Sequence, residues 1–185
     1  MTRSSTRPSR RRNSRNATLT GINHSQRPHT LPYPTMRLFF AGSFDPFTTG
    51  HASIAERALP LCTELVIAVG VNATKQPAPD VLEARLDAIR RLYAGEKKVK
   101  VTCYTGLTVE AARAAGADAL LRGVRSVADF EYERAIADVN RSLTGIETVL
   151  LFSTPELSSV SSSVVRELRA HGYPTDRFLP QPPQK

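Results

Sequence analysis

The stretch FFAGSFDPFTTGH, residues 39–51, joins a run of apolar side chains to a turn rich in glycine and hydroxyl groups. Gly42 permits backbone angles that other residues resist, Pro46 stiffens the turn, and Gly50 lets the backbone approach a ligand closely. A helix that starts here presents free N–H groups and the positive end of its dipole, with the ring of His51 in its first turn. The stretch therefore predicts a buried strand, a phosphate-binding loop and the start of a helix.

Five short apolar runs along the chain predict buried strands, and amphipathic segments separate them. Continuous apolar character with several β-branched residues is typical of strands in a parallel sheet that is covered on both faces. The runs are RLFFA (37–41), ELVIAVGV (64–71), KVKVTCY (98–104), ALLRG (119–123) and TVLLF (148–152). Helical patterns follow at 51–61, 81–94, 108–116, 127–143 and 161–172. This alternation predicts an α/β domain built on a three-layer, doubly wound, five-stranded parallel sheet.

The charge of the chain is concentrated at its N-terminus. The chain has 185 residues, a length that suits one domain. Its formal charge is +8, but residues 1–35 contain seven Arg and no acidic residue, so that residues 36–185 hold 18 basic and 17 acidic side chains. Because residues 1–35 are poor in core-forming side chains, we predict a disordered extension there and a folded domain over residues 36–185. An organelle transit peptide and an upstream extension before Met36 are alternative explanations.

The sequence predicts a soluble protein of the cytoplasm. It has no apolar run of about 18 residues that could span a membrane, and no signal-peptide core follows the basic segment. Cys62 and Cys103 lack the C-x-x-C spacing of zinc and redox sites. Both are therefore expected to be buried, reduced thiols, which suits a reducing compartment.

Polar and cationic side chains follow each predicted strand. Because the carboxyl ends of parallel strands meet at one edge, where an open sheet binds its ligands, these side chains should lie together. Hydroxyls and cations of this kind bind phosphate oxygens. They are Ser43, Thr48, Thr49 and His51 after the first strand, Asn72, Thr74 and Lys75 after the second, 105–108 after the third, Arg122 and Arg125 after the fourth, and 158–163 after the fifth.

A second helix start and several missing motifs narrow the class of function. Residues 161–163 are three consecutive Ser, which combine hydroxyls with free backbone N–H groups, and Arg166 follows on the same helix. Arg122 ends an apolar strand, where an Arg is unusual without an anionic partner. The segment ADFEYER predicts an amphipathic helix with Phe130 in the core. The sequence contains no G-x-x-x-x-G-K-[ST], no G-x-G-x-x-G after the first strand and no G-x-S-x-G, which disfavours P-loop enzymes, dinucleotide oxidoreductases and serine hydrolases.

Four motifs, in their order along the chain, resemble those of one enzyme family. TTGH at 48–51 is similar to the [T/H]xGH signature of the nucleotidyltransferase superfamily, and VSSSVVR at 160–166 resembles its second signature, ISSTxxR. The fuller set GSFDPFTTGH, NATKQP, LLRGVRSVADFEYE and VSSSVVRE resembles the bacterial-type phosphopantetheine adenylyltransferases over residues 36–180. RGVRSVADFEYE is the piece most specific to that family. The resemblance implies the Rossmann-like nucleotidyltransferase fold.

The resemblance also implies an activity. Members of the family transfer AMP reversibly from ATP to 4′-phosphopantetheine, which gives dephospho-coenzyme A and pyrophosphate in the penultimate step of coenzyme A biosynthesis. The implied cofactor is Mg²⁺, held through the ATP phosphates, and no residue is implied as a direct metal ligand. A homohexamer and feedback inhibition by coenzyme A are implied as well.

The resemblance assigns roles to individual residues. It implies that His51 stabilises the transition state and that Lys75 and Arg122 are further catalytic residues. Contacts to phosphopantetheine are implied for Ser43, Lys75, Thr108 and Arg122; Ser43 stands where the family usually has Thr, and Thr108 where it has Leu or Met. The implied ATP-binding positions are Ser43, Phe44, His51, Gly123, Val124, Arg125, Glu133, Leu157, Ser158, Ser159, Val160, Ser161, Ser162 and Ser163.

Two other functions fit parts of the sequence. A nucleotidyltransferase of the same fold could act on another phosphorylated acceptor, such as nicotinate mononucleotide or glycerol 3-phosphate, although RGVRSVADFEYE argues against this. A non-catalytic nucleic-acid-binding protein could contact phosphates through residues 1–35, whereas the nearly neutral charge of residues 36–185 disfavours it. We expect neither a membrane partner nor a specific nucleic acid.

Overall fold

The framework of the fold is a sheet of five parallel strands. The computed structural model describes residues 36–74 and 77–182. Strand β1 spans Arg37–Gly42, β2 Glu64–Gly70, β3 Val99–Tyr104, β4 Ala119–Val124 and β5 Glu147–Phe152. The strands lie in the order β3-β2-β1-β4-β5, which confirms the predicted five-stranded parallel sheet.

The strand order reverses beside β1. The chain moves outward from β1 to β2 and β3, then crosses to the other side of β1 for β4 and β5. Loops that leave in opposite directions open a crevice at the carboxyl ends of β1 and β4, where an α/β sheet binds its ligands. Residues 38–41 of β1 are buried, which explains why the strand is apolar at these positions.

In the described part of the chain, five α-helices connect and follow the strands. Helix α1 covers Thr49–Ala58, α2 Pro79–Leu92, α3 Thr108–Ala114, α4 Val127–Thr144 and α5 Ser162–Ala170, and short 3₁₀ turns cover Leu59–Leu61, Pro155–Leu157 and Asp176–Phe178. The side chains of Thr48 and Ser161 cap α1 and α5. Gly145 ends α4 with a φ of 75°, a left-handed conformation that favours glycine.

Apolar side chains pack on both faces of the sheet. On one face, Phe40 of β1 packs in a cluster with Leu86 and Ile89 of α2. On the other face, Phe39 packs with Val109 of α3, and α4 lies against β4 and β5. Consecutive residues of β1 point to opposite faces, as the period of a strand requires. The helix–sheet–helix arrangement confirms the predicted three layers.

Two sequence expectations about burial are wrong. Cys62 is buried as expected, but Cys103 is exposed, because β3 is an edge strand and several of its side chains remain in contact with solvent. Phe130 is expected in the core but is 38% exposed, and it lines an open hollow with Val124 and Phe152 at the ends of β4 and β5. The predicted disordered segment, residues 1–35, lies outside the described residues. Among the helices described, none is long and apolar enough to cross a membrane.

Candidate active site

A pocket of about 300 Å³ lies at the carboxyl ends of β1 and β4, at the reversal of strand order. It brings together eleven of the residues that the family resemblance assigns to substrates. These are Ser43, Phe44, His51, Arg122, Gly123, Arg125, Glu133, Val160, Ser161, Ser162 and Ser163. The pocket therefore joins two helix starts with two arginines, as the phosphate-binding hypothesis requires.

The loop between β1 and α1 forms one wall of the pocket. Phe44 has a φ of 46°, in the left-handed region that side chains rarely adopt, and its side chain is buried. A Cβ on Gly42 would lie 2.7 Å from Phe44 Cε1, so glycine is needed there for the phenylalanine ring to pack. A Cβ on Gly50 would lie 3.5 Å from the carbonyl oxygen of Val160, so the two signature motifs touch at this point.

His51 is held by the residue that starts its helix. The backbone N–H of Thr48 donates to His51 Nδ1 at 3.0 Å, and the backbone N–H of His51 donates to Thr48 Oγ1 at 3.5 Å, which completes a capping box. Because Nδ1 accepts a hydrogen bond, it is unprotonated, and the neutral ring carries its proton on Nε2. The imidazole therefore enters the pocket as a neutral hydrogen-bond donor with a fixed tautomer.

The surroundings of His51 keep the ring neutral. Burial, followed by the positive charges of Arg125 and Arg122, lowers the pKa of His51 from 6.5 to about 4. The rings of Phe44 and Phe47 pack against the imidazole, with centroids 5.1 and 5.4 Å away. At neutral pH, His51 can donate a hydrogen bond but carries no charge.

Arg122 forms a bidentate pair with Glu133 beneath the pocket. Its Nε donates to Glu133 Oε2 at 2.8 Å, its NH2 donates to Oε1 at 2.6 Å, and its NH1 donates to the carbonyl of Ala41 at 2.6 Å. Burial acts to lower the pKa of Arg122, but the hydrogen bonds and charge of Glu133 outweigh it and raise the pKa. Arg122 therefore stays charged and rigid at the end of β4, and two of its five N–H bonds have no partner among the described residues and can meet a ligand.

Arg125 pairs with Asp129, a residue that sequence reasoning missed. Arg125 Nε donates to Asp129 Oδ2 at 3.0 Å, and Asp129 lines the pocket. Ser153, the residue after β5, also lines the pocket and has no role in the sequence prediction. The spacing of Arg125 and Asp129 by one helical turn could have indicated the pair. Both carboxylates of the pocket are therefore engaged by arginines, which leaves cations, hydroxyls and N–H groups to meet an anion.

The start of α5 is fastened to the loop after β1. Ser161 Oγ accepts the N–H of Val164 at 3.2 Å, and Ser162 Oγ donates to the carbonyl of Pro46 at 2.8 Å. Arg166 NH1 donates to the carbonyl of Asp45 at 2.6 Å. Side chains near the start of α5 thus cap the helix and hold the opposite wall of the pocket.

Several predicted site residues lie elsewhere. Thr108 does not line the pocket, and its Oγ1 lies 2.7 Å from the hydroxyl of Tyr104. Val124 is buried beside a neighbouring hollow that Phe130 lines. Lys75 lies outside the described residues, so its role stays a prediction. Leu157, Ser158 and Ser159 precede the pocket-lining Val160 without lining the pocket themselves.

Comparisons with known proteins agree with this geometry. Residues 39–168, from β1 into α5, match the cytidylyltransferase-like family. The phosphopantetheine adenylyltransferase of Phocaeicola vulgatus is 49% identical over 145 residues, which are 78% of this chain and 95% of the relative. That of Porphyromonas gingivalis is 51% identical over 142 residues, which are 77% of this chain and 92% of the relative. The chain belongs to the phosphopantetheine adenylyltransferase family, within the cytidylyltransferase-like proteins.

A solved structure shares the fold. The bifunctional NMN adenylyltransferase/ADP ribose pyrophosphatase of Francisella tularensis superposes with a TM-score of 0.57 at 14% sequence identity. The match covers 78% of this chain and 45% of that one, so this chain spans less than half of that structure. At this identity the likeness supports the Rossmann-like nucleotidyltransferase fold alone.

Proposed function

We propose that this protein transfers AMP from ATP to 4′-phosphopantetheine, and so forms dephospho-coenzyme A and pyrophosphate in coenzyme A biosynthesis. The observation that carries the proposal is the grouping of a neutral His51 donor, the cationic Arg122 and the start of α5 in one pocket. The family membership supports the choice of acceptor.

The reaction needs no nucleophile from the protein. A phosphate oxygen of 4′-phosphopantetheine attacks the α-phosphorus of ATP, and the bond between that phosphorus and the oxygen bridging to the β-phosphate breaks. The electron pair of that bond leaves with pyrophosphate. The protein must therefore hold two polyanions together, align them, and stabilise the negative charge that grows on the phosphoryl oxygens.

His51 is the residue placed to stabilise that growing charge. Its Nδ1 is occupied by the Thr48 N–H, so Nε2–H is the donor available to a phosphate oxygen. A donor that is already oriented needs no rearrangement during the reaction, which is the main advantage of preorganised stabilisation. His51 remains neutral throughout and gives up no proton.

The two arginines serve different substrates in this proposal. Arg122, fixed by Glu133, offers its remaining N–H groups to the phosphate of the acceptor, together with Ser43 and, as a prediction, Lys75 and Thr108. Arg125 and Gly123, with residues 160–163 and, as a prediction, residues 157–159, hold ATP. The backbone N–H groups at the start of α5 are suited to its phosphates.

Mg²⁺ would enter with ATP. The pocket fits this mode of delivery, because its two carboxylates are paired with Arg122 and Arg125 and its other groups are phosphate-binding donors. A magnesium ion on the phosphate oxygens neutralises part of their charge. The residues named above bind and orient the nucleotide around it.

We further propose that copies of the chain assemble as a homohexamer. Exposed apolar side chains cluster on α4 and at the end of β5, a feature that marks interaction surfaces. They are Val127, Phe130, Tyr132, Val139, Leu143 and Phe152. Size-exclusion chromatography with light scattering should give six times the mass of one chain, and a monomer at micromolar concentration would contradict the assembly.

The proposed enzyme should be inhibited by coenzyme A and should work in the cytoplasm. Coenzyme A carries both a pantetheine arm and an adenylate, so it should compete with the substrates for the pocket and inhibit the enzyme. We place the reaction in the cytoplasm, which suits the free thiols of Cys62 and Cys103. Inhibition assays with coenzyme A at several ATP concentrations test the competition.

Pyrophosphate release tests the reaction directly. The protein is mixed with ATP, Mg²⁺ and either 4′-phosphopantetheine, nicotinate mononucleotide or glycerol 3-phosphate. Release with 4′-phosphopantetheine alone is expected, and His51→Ala should lower turnover by about a hundredfold or more, as loss of one oriented donor does. Release with another acceptor would reassign the substrate, and release with none would overturn the proposal.

Arg122→Ala separates substrate binding from turnover. Because Arg122 is assigned to the acceptor phosphate, its loss should chiefly weaken the binding of 4′-phosphopantetheine measured by calorimetry. Unchanged affinity would remove Arg122 from the acceptor site. Arg90→Ala is a matched control, since Arg90 lies on the exposed surface of α2 and pairs with Glu83 and Asp87.

A further inference from the structure

The loop 43–47 separates two hollows of the molecule. Phe44 lines the candidate active-site pocket, and it also lines a groove of about 390 Å³ between the loop, α2 and residues 179–182. Phe44 has a φ of 46°, which residues that carry a side chain rarely adopt. A segment in an unfavourable conformation keeps its shape only if its surroundings hold it.

Arg85 holds this loop from the groove side. Its NH1 donates to the carbonyl of Ser43 at 2.9 Å, and its NH2 lies 2.8 Å from Asp45 Oδ1. These two acceptors belong to the residues immediately before and after Phe44, so one planar guanidinium spans the strained position. The Arg85 side chain is only 14% exposed, which keeps it in place.

Helix α5 also holds this loop. Arg166 and Ser162 donate to the carbonyls of Asp45 and Pro46, as described above. Arg85 lines the groove and is not among the residues that line the pocket. It therefore acts on the pocket only through the loop.

The loop in turn supports the groups proposed to contact substrates. The ring of Phe44 meets the ring of His51 edge to face, with centroids 5.1 Å apart and an interplanar angle of 81°. The carbonyl of Ser43, the residue assigned to the acceptor phosphate, accepts a hydrogen bond directly from Arg85. We propose that Arg85 is a positioning residue. It fixes the position of Ser43 directly and the position of the His51 ring through Phe44. This inference rests on the proposed adenylyl transfer.

Kinetics of Arg85→Ala and Arg85→Lys test the inference, with Arg90→Ala as the control on the same helix. A misplacement of about 1 Å can cost about a hundredfold in rate, so kcat of Arg85→Ala should fall by about tenfold or more. The KM for ATP should change little, because Arg85 touches no substrate. The lysine variant should recover part of kcat, since one ammonium can reach one of the two acceptors. Arg90→Ala should match the wild type.

A second readout does not depend on activity. The ring protons of His51 lie near the rings of Phe40, Phe44 and Phe47, so their NMR shifts report the packing of the loop. The signal is assigned by its loss in His51→Asn. It should move in Arg85→Ala and stay in place in Arg90→Ala. If the wild type releases no pyrophosphate but the signal moves, the proposed function fails and the contact stands.

A double-mutant cycle separates positioning from a general loss of stability. Asp45→Asn keeps the Ser43 contact and should lower kcat less than Arg85→Ala does. The double variant Arg85→Ala with Asp45→Asn should have the same kcat as Arg85→Ala alone. Arg85→Ala already removes the contact with Asp45, so Asp45→Asn has nothing further to break. Losses in kcat that multiply would overturn the inference. So would an unchanged kcat of Arg85→Ala accompanied by a lower Tm, or an unmoved His51 signal.

Discussion

The neutral imidazole of His51 should make the folded protein lose stability as the pH falls below neutrality. In the folded state the pKa of His51 is about 4, whereas a histidine in an unfolded chain has a pKa of about 6.5. Between these values the unfolded state binds a proton that the folded state does not, so the free energy of unfolding decreases with falling pH. The loss is small above pH 6.5, grows as the pH falls toward 4, and is complete below that.

The size of the effect follows from the two pKa values. From pH 7 to pH 5 they correspond to a loss of about 2 kcal/mol in the free energy of unfolding. His51→Asn removes the titration while it keeps an oxygen, Oδ1, near the place where Nδ1 accepts the Thr48 N–H. The variant therefore separates the proton from the helix cap.

Urea unfolding at pH 7 and pH 5, followed by circular dichroism, measures the loss in the wild type and in His51→Asn. Other titrating groups are present in both proteins and cancel in the comparison. The wild type should lose about 2 kcal/mol more than the variant. Equal losses would refute the reasoning, because they would mean that His51 accepts a proton in the folded state as readily as in water.

Three further substitutions test packing, capping and the buried ion pair by urea unfolding. Gly42→Ala should lower the free energy of unfolding by about 1 to 3 kcal/mol, because its Cβ would lie 2.7 Å from the Phe44 ring, whereas Gly95→Ala meets nothing within 4 Å and should be nearly neutral. Ser161→Ala should cost about 1 kcal/mol through the lost cap of α5, and wild-type stability would contradict that role. Glu133→Gln should lower the free energy of unfolding by about 2 kcal/mol, because Arg122 loses a charged acceptor. A change smaller than the experimental error would mean that solvent screens the ion pair.

The sequence was sufficient to predict the sheet and most of the pocket. Continuous apolar runs identify strands that are covered on both faces, and β1 and β2 are such strands. Glycines and hydroxyls between a strand and a helix identify a phosphate-binding loop, because few other local structures need this combination. This local pattern alone was enough to predict a phosphate-binding site around His51.

The errors concern surfaces that only the tertiary structure defines. The pattern of β3 does not show that it is an edge strand, so Cys103 was expected in the core. Phe130 lies on an amphipathic helix, but the direction in which α4 turns its apolar side chains depends on its docking. Asp129 was missed because its role comes from its pairing with Arg125, and the spacing of four residues between them is a weaker signal than a motif.

The two signature motifs are far apart in the chain, yet they complete one another at the contacts of Gly50 with Val160 and of Ser162 with Pro46. A nascent chain that has emerged only through β5 possesses the whole sheet and one wall of the pocket. The second wall arrives with α5, the last α-helix in the described part of the chain. The ability to bind a nucleotide should therefore appear late in synthesis, after the sheet has formed, and would report that folding is complete.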